Sequence, residues 1–502
     1  MLFRILTLVG INVIFFWRTL WYGYAVDDWE VCRCHCKKPD IIKIPPPPGT
    51  KQLEKEICRK CGILKRIEHD HWWEYLLWNF GGLVRMKGTE ARTQYTNNKL
   101  AHSFTIILHS LNCVLIYLTF GTNNISFLAA VMFAVHPTAM QGSSVWLCGK
   151  GYGLGLACSL LAWKYKLLMP IFYYLGSYFA STMVLPLMFI HTPYWYLVFF
   201  FPLGVWYRRK MLRGAIEYKF KMVCKTRYPF HWHNIILVFK TIGYYFCLCL
   251  VPVNLGVHHT YLSMYGITDK ETKEALQFDT YELLGIILTV LMAYLFFCHW
   301  GPVALGLMWF FVFIMPWSNW MAAVNQPIGE RYCVISLVGI LYALSNVIIN
   351  YPIAQACFIT YYVTVANAFL PAYRNILQFA VYNVHNFSDS FQGWLWKSDL
   401  ERNFSLIERS FDSAMQAWLL RPDDFLVNNN IATLYLVQHK FKEAEPFLKR
   451  MEQAVMPTKE LEEKKWIKLK SIRAQMKQDM EHLSEFLKQD REKIIEQMKG
   501  AT

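Results

Sequence analysis

Apolar runs of about 18 residues or more, divided by short polar breaks, recur from residue 5 to about residue 371. At about 1.5 Å of rise per residue, a run of that length crosses a bilayer as a helix. The pattern predicts spans over residues 5–26, 101–120, 124–143, 147–165, 167–182, 183–206, 232–252, 282–299, 302–317, 332–350 and 352–371. Beyond residue 371 the chain is charged and amphipathic, without a long apolar run. The expected fold is an all-α integral membrane protein. A polytopic bundle of about 11 transmembrane helices over 1–371 precedes a helical extramembrane domain over 372–502.

Within that second region, small and large apolar residues fall at the spacing of paired helices. Ile431, Ala432 and Tyr435 lie on one helix, and Ala444 and Leu448 on the next, Lys442 to Met451. A partial preceding unit holds Phe411, Ala414 and Ala417, ended by Pro422. Small residues let two helices approach and the proline closes the unit, which is the tetratricopeptide pattern; an ordinary helical bundle is the plainer alternative. Residues 459–498, rich in Lys and Glu at i, i+4, read as two further helices.

Composition sharpens the membrane reading. The chain is 55% hydrophobic, and only 17% of its residues are charged, against roughly 25% in soluble domains. A formal charge of +15 suggests nucleic acid at first sight, but its placement argues otherwise. Arg208, Arg209, Lys210, Arg213, Lys219, Lys221, Lys225 and Arg227 crowd one connection, the mark of a cytoplasmic loop beside anionic headgroups. Alternation from that loop puts the N-terminus in the cytoplasm. It puts loop 27–100, segments 253–281 and 318–331, and the C-terminal domain on the extracytoplasmic or lumenal side. The N-terminal run carries no small-residue cleavage site and is read as a retained span.

Loop 27–100 is too long for a simple connection. It holds Cys32, Cys34, Cys36, Cys58 and Cys61, five of the chain's 14 cysteines, with His35 among them. Cys58-Arg59-Lys60-Cys61-Gly62 suits a zinc knuckle, and the upstream thiols would complete a tetrahedral structural site. In an oxidising compartment the same thiols would form disulfides instead. A rigid Pro45–Pro48 run and the aromatic segment His71–Trp78 follow, the latter suited to lying in the membrane interface or packing on neighbouring spans.

Chemistry gathers at the predicted extracytoplasmic ends. Asp27 and Asp28 close the first span, a costly pair so near lipid unless it meets water or a cation. His136-Pro137 with Gln141, Ser143 and Ser144, Asn254 with His258 and His259, and Glu330-Arg331-Tyr332 fall on the same face. A guanidinium suits a phosphate, and a carboxylate suits a base or a cation.

These stretches, in order and in span context, resemble the C-type polytopic glycosyltransferases, particularly the transmembrane O-mannosyltransferases that carry tetratricopeptide repeats. The residues in question are Tyr24 to Trp29, Ala101-His102-Ser103 with Leu108 to Asn112, Phe133 to Pro137, Leu250 to Leu255, and Gly329 to Tyr332. The resemblance implies transfer of a sugar, mannose for instance, from a polyprenyl-phosphate carrier to a protein hydroxyl on the extracytoplasmic face. It implies Asp28 as base with Asp27 in support, a divalent cation at the site, Arg331 on the carrier phosphate with Glu330 and His136 beside it, and the repeats as the holder of the acceptor protein. The chain departs from the family at Gln141, where a glutamate is usual, near Tyr152, where an acid is usual, and at Phe179-Ala180-Ser181 before Leu185-Pro186. Those departures keep a second reading open, a catalytically degenerate membrane scaffold that binds partners through its repeats. A transporter would need paired, broken spans with internal symmetry, which the chain lacks.

Overall fold

The computed structural model describes residues 1–22, 41–44, 55–58, 98–145, 150–169, 171–172, 175–176, 233–256, 259, 277–299, 301–318, 328–454 and 459–500. Those residues are helical apart from one short ribbon, in which β1 (Ile41–Ile44) pairs antiparallel with β2 (Lys55–Cys58), Ile41 opposite Cys58. The ribbon lies inside loop 27–100, where the helical periodicity predicted no strand. Three isoleucines in four residues favour extended backbone, and the Pro45–Pro48 run that follows cannot continue a ladder.

The residues form two compact units, one closing at Phe387 and one running on from Ser388 with the ribbon grouped in it. The first unit contains α1 (Leu2–Phe16, prolonged by a 3-10 turn to Trp21), α2 (Asn98–Thr119), α3 (Asn124–Val135), α4 (Lys150–Lys164) and α5 (His233–Leu250). After these come α6 (Thr280–Cys298), α7 (Pro302–Ile314), α8 (Val334–Ile348), α9 (Pro352–Phe369) and α10 (Ile376–Asn386). The unit boundary therefore falls after α10 rather than after residue 371. Asn386 of α10 donates to the Leu255 carbonyl and the Phe387 ring meets His259, which ties this segment to the first unit.

Among the described residues, five stretches are long and apolar enough to cross a membrane: Leu2–Trp21, His102–Thr119, Thr280–Cys298, Glu330–Ile348 and Pro352–Arg374. The predicted spans at 124–143 and 302–317 become the shorter helices α3 and α7, cut back by Pro137 and Pro316. The predicted spans at 167–182 and 183–206 lie largely outside the described residues.

Apolar burial drives little association between helices that share a lipid solvent, so close packing and polar tethers must do it. The second span, α2, is the hub. Asn12 of α1 donates to Cys113 Sγ (3.4 Å), Asn112 donates to the Gly153 carbonyl of α4 (3.1 Å), and His109 meets the Ala134 carbonyl of α3 (3.2 Å). Elsewhere glycines allow contact of backbone with backbone. A Cβ on Gly339 of α8 would overlap the Gly306 carbonyl oxygen of α7, and one on Gly306 would strike Gly339 in return. Trp309 locks the same pair by donating to the Ile335 carbonyl at 2.9 Å.

The second unit contains α11 (Phe391–Asn403), α12 (Ile407–Leu420), α13 (Phe425–Val437), α14 (Phe441–Gln453) and α15 (Lys459–Gly500). Its helix starts recur with a period of 34 residues: Phe391, Phe425 and Lys459 for one series, Ile407 and Phe441 for the other. The turns repeat too. Ser405 and His439 both adopt the left-handed backbone (φ 61° and 58°), and the residue after each donates back five positions, Leu406 to Glu401 and Lys440 to Tyr435. That is the glycine-type helix stop made without glycine. Ala414, Ala417, Val427, Ile431 and Leu434 form one buried cluster, and Ala432, Leu448, Met451 and Leu469 a second. Asp424 caps α13 by accepting from Leu426 N–H at 2.7 Å. Residues 459–500 make one continuous helix rather than two, because no proline or glycine interrupts them before Gly500. Leu448→Ala should destabilise this unit by about 2–5 kcal/mol, since Leu448 is fully buried, and Asp424→Ala by about 1 kcal/mol. Urea titration followed by circular dichroism would show both, and equal midpoints for the two variants would contradict the packing described.

Candidate functional site

Helix α5 ends at Leu250 because Pro252 follows, which leaves its last carbonyls without helical partners. Side chains from α9 and from the segment after α3 take them. His136 Nε2 meets the Cys249 carbonyl at 3.1 Å, Thr138 Oγ1 donates to the Leu248 carbonyl, and Tyr362 and Tyr361 of α9 donate to Leu250 and Pro252. His136 Nδ1 accepts from Thr138 N–H, so Nε2 carries the ring proton and both nitrogens are taken. The ring is buried and edges onto Tyr362. His136 was expected at the carrier phosphate; it instead caps a helix end, and no donor on it remains for a ligand.

Beyond that cap the chain turns through Asn254, in the left-handed conformation at φ 52°, to Gly256 and His259. The peptide groups of Gly256 are gripped from two sides. Its N–H donates to Glu330 Oε1 at 2.7 Å, and its carbonyl accepts from Gln141 Nε2 at 3.1 Å. A Cβ at Gly256 would press on the Asn383 and Phe387 side chains, which would have to shift to admit it.

Glu330 opens the 3-10 turn Glu330–Cys333 that leads into α8, and it is fully buried. Tyr245 of α5 fixes the residue before it, accepting from Gly329 N–H at 3.1 Å and donating to the Gly329 carbonyl. Glu330 Oε1 also meets His259 Nε2 at 2.9 Å, and His259 Nδ1 meets the Tyr244 hydroxyl at 3.0 Å. A carboxylate only accepts, so the proton sits on Nε2 and Tyr244 donates to Nδ1. The result is a buried relay from Tyr244 through His259 to Glu330. Nearby Tyr382 of α10 has its phenol held above the usual range by burial and by the Glu330 charge, partly offset by Asn386.

Two features mark this cluster as more than packing. Glu330 Oε2, Gln141 Oε1 and Ser144 Oγ are buried without a hydrogen-bond partner among the described residues. Such atoms cost about 1–3 kcal/mol each, and more when charged, so a site that retains several has a use for them. Gln141 and Ser144 also sit in a π-helical turn, Met140–Ser144, which packs on the Glu330–Cys333 turn. Wide turns of this kind recur at functional sites.

Arg331 points away from Glu330, against the expectation that the two act side by side on one phosphate. Its guanidinium lies 4.5 Å from the Tyr332 ring centre and donates to the Tyr332 hydroxyl at 2.8 Å. Tyr332 stacks on Trp317 at 4.2 Å and meets Tyr152 edge-on at 6.3 Å. Adjacent residues on a tight 3-10 turn diverge by about 120°, so the carboxylate enters the core while the guanidinium stays at a partly exposed aromatic rim.

Set against known protein families, curated proteins and solved structures, the chain matches none of them.

Asp27 and Asp28 lie outside the described residues, as do Cys32, Cys34, Cys36 and Cys61; Cys58 is placed only as the last residue of β2. No group of three or more His, Cys, Asp or Glu side chains comes together among the described residues. At the Glu330 cluster a single carboxylate with one amide and one hydroxyl oxygen is a sparse set for a divalent cation. Sequence reasoning had His259 in view as half of a His-His pair, but not its partners. Tyr244 and Gly256 carry no signal of their own: the first is one aromatic among many in a span, the second one glycine in a turn.

Proposed function

We propose that the chain is a membrane glycosyltransferase that moves a sugar from a polyprenyl-phosphate carrier to a protein hydroxyl on the extracytoplasmic face. It would have eleven spans, a cytoplasmic N-terminus, and a C-terminal domain of tetratricopeptide repeats that holds the acceptor. The observation that carries this reading is the Glu330 turn, a fully buried carboxylate wired to His259 beside a rim guanidinium on the next residue. The 34-residue recurrence of helix starts supports the repeats, since that is the tetratricopeptide period.

In this reading Asp28 takes the proton of the acceptor hydroxyl as its oxygen attacks the anomeric carbon. The bond from that carbon to the phosphate oxygen breaks, and the carrier phosphate leaves with the electron pair. Arg331 would meet the charge that develops there, a contribution worth about 10²–10³ in rate for a well-placed donor. Glu330 acts as a positioning residue, holding Gly256 and His259 by two hydrogen bonds. Structural zinc or disulfides would brace the cysteine-rich loop.

The protein in nanodiscs, given polyprenyl-phosphate mannose and a serine/threonine peptide, should transfer sugar. Asp28→Asn should abolish transfer without loss of folded protein, and Arg331→Gln should lower it about 10²-fold. Transfer retained by Asp28→Asn removes that residue from the mechanism.

A second reading, the non-catalytic scaffold, draws on Gln141. Its amide donates to the Gly256 carbonyl, which an ionised glutamate in that position would not do, so the departure from the family serves packing. Under that reading no variant transfers sugar, Asp28→Asn is silent, and disruption of Tyr435 and Leu448 releases a co-purifying partner.

A further inference from the structure

An apolar groove of about 420 Å³ runs along one side of the first unit, floored by α3 and walled by α1 and α9. Each helix contributes residues one turn apart, Ile11 and Ile14, Val131 and Val135, Ile359 and Val363. The volume falls in the roughly 300–1,000 Å³ range of ligand sites, and Ile14 at the lip is 76% exposed. At one end the lining changes character. Arg18 closes the groove by donating from Nη2 to Asn367 Oδ1, which bridges α1 to α9. Arg18 Nε is buried and has no hydrogen-bond partner among the described residues. Arg374 lies past Asn367 at the same end, closing the 3-10 turn Leu370–Arg374 that continues α9.

The depth of this basic end is set by aromatics. Trp17 and Trp21 pack edge-to-face at 5.2 Å, both more than half exposed, with the Lys99 ammonium over the Trp21 ring. Exposed tryptophans beside lysine and arginine at the end of a span mark the headgroup level of a bilayer. An arginine there meets phosphate, and guanidinium binds phosphate through paired, charge-assisted hydrogen bonds.

We infer that this groove is a binding site for a membrane phospholipid, with one acyl chain between α1, α3 and α9 and its phosphate on Arg18 and Arg374. The site shares no residue with the Glu330 cluster and does not depend on the glycosyltransferase reading. The bound lipid would hold α1 against α9, two helices whose bridge in this region is the Arg18–Asn367 bond.

Native mass spectrometry of the full-length protein in detergent tests this. Three probes are used: palmitoyl-oleoyl phosphatidylglycerol, the matching diacylglycerol without phosphate, and inorganic phosphate. The wild type should retain one phosphatidylglycerol and little diacylglycerol, and inorganic phosphate should not displace the lipid. Arg18→Gln should weaken retention about tenfold, as should Val363→Trp, which fills the groove from α9. Arg374→Gln, at an exposed position, should weaken it several-fold and decides the matter if the Arg18 variant does not fold. Lys477→Gln, at an exposed position on α15 of the second unit, should leave retention unchanged. Equal retention of diacylglycerol would reduce the groove to ordinary lipid contact. Displacement by inorganic phosphate would make it a free-anion site. Full retention by Arg374→Gln and Val363→Trp together would also overturn the assignment.

Discussion

Glu330→Ala should cost the first unit about 3–5 kcal/mol and, under the proposed glycosyltransferase function, all sugar transfer, the largest loss expected from a single side chain. The carboxylate is fully buried and serves the Gly256 N–H and the His259 ring through one oxygen. Truncation would leave both donors unsatisfied in a medium that cannot replace them, and the Tyr244–His259 arm would lose its anchor. Glu330→Gln separates structure from charge. An amide oxygen still accepts from Gly256 and His259, so the thermal midpoint in nanodiscs should fall far less than in the alanine variant. If transfer survives in Glu330→Gln, the charge is dispensable and the residue is a brace only. If the alanine variant melts with the wild type, the buried relay described here does not hold the turn.

Gly339→Leu should prevent α7 and α8 from meeting at all. A Cβ at that position overlaps the Gly306 carbonyl oxygen, which is backbone and cannot swing aside as a side chain would. Overpacking usually costs about 1–3 kcal/mol, but here relief requires two helices to separate along a face that buries Trp309, Phe310 and Leu341. The expected result is loss of monodisperse protein on size-exclusion chromatography after detergent extraction. Gly10→Leu is the matched control, because nothing lies within 4 Å of a Cβ there, and it should behave as wild type. A well-behaved Gly339→Leu protein would mean that the α7–α8 crossing is looser than the glycine pair implies.

Much of the helical layout is legible because long apolar runs in this chain admit one economical answer, a helix that satisfies its own backbone in lipid. The ends are less legible. At α3 the predicted span runs to residue 143, yet the α-helix stops at Val135, because Pro137 holds His136 in extended backbone and frees its ring to cap α5. The same holds for the stretches that suggested a glycosyltransferase. His109 and Asn112 tether α2 to its neighbours, and His136 and Pro252 form one helix-end joint, so those residues preserve architecture first. In the second unit the complete repeat at α13–α14 shows itself through Ala432, Tyr435, Ala444 and Leu448. Its predecessor at α11–α12 shows only in part, through Phe411, Ala414 and Ala417 of α12, because Ser398 and Glu401 of α11 stand where α13 has Ala432 and Tyr435. The spacing of helix starts completes it.

From the amino-acid order alone come the membrane-spanning character, the switch to charged helices after the last span, and the polar residues that gather at span ends. Those properties are local, set by the transfer free energy of side chains and the reach of a few residues. Which polar residues are partners is different. Glu330 meets His259 across 71 positions and Gln141 meets the Gly256 carbonyl across 115, pairings that no periodicity encodes. They exist because small residues let particular helices close to backbone contact, and that contact decides which span ends share a pocket.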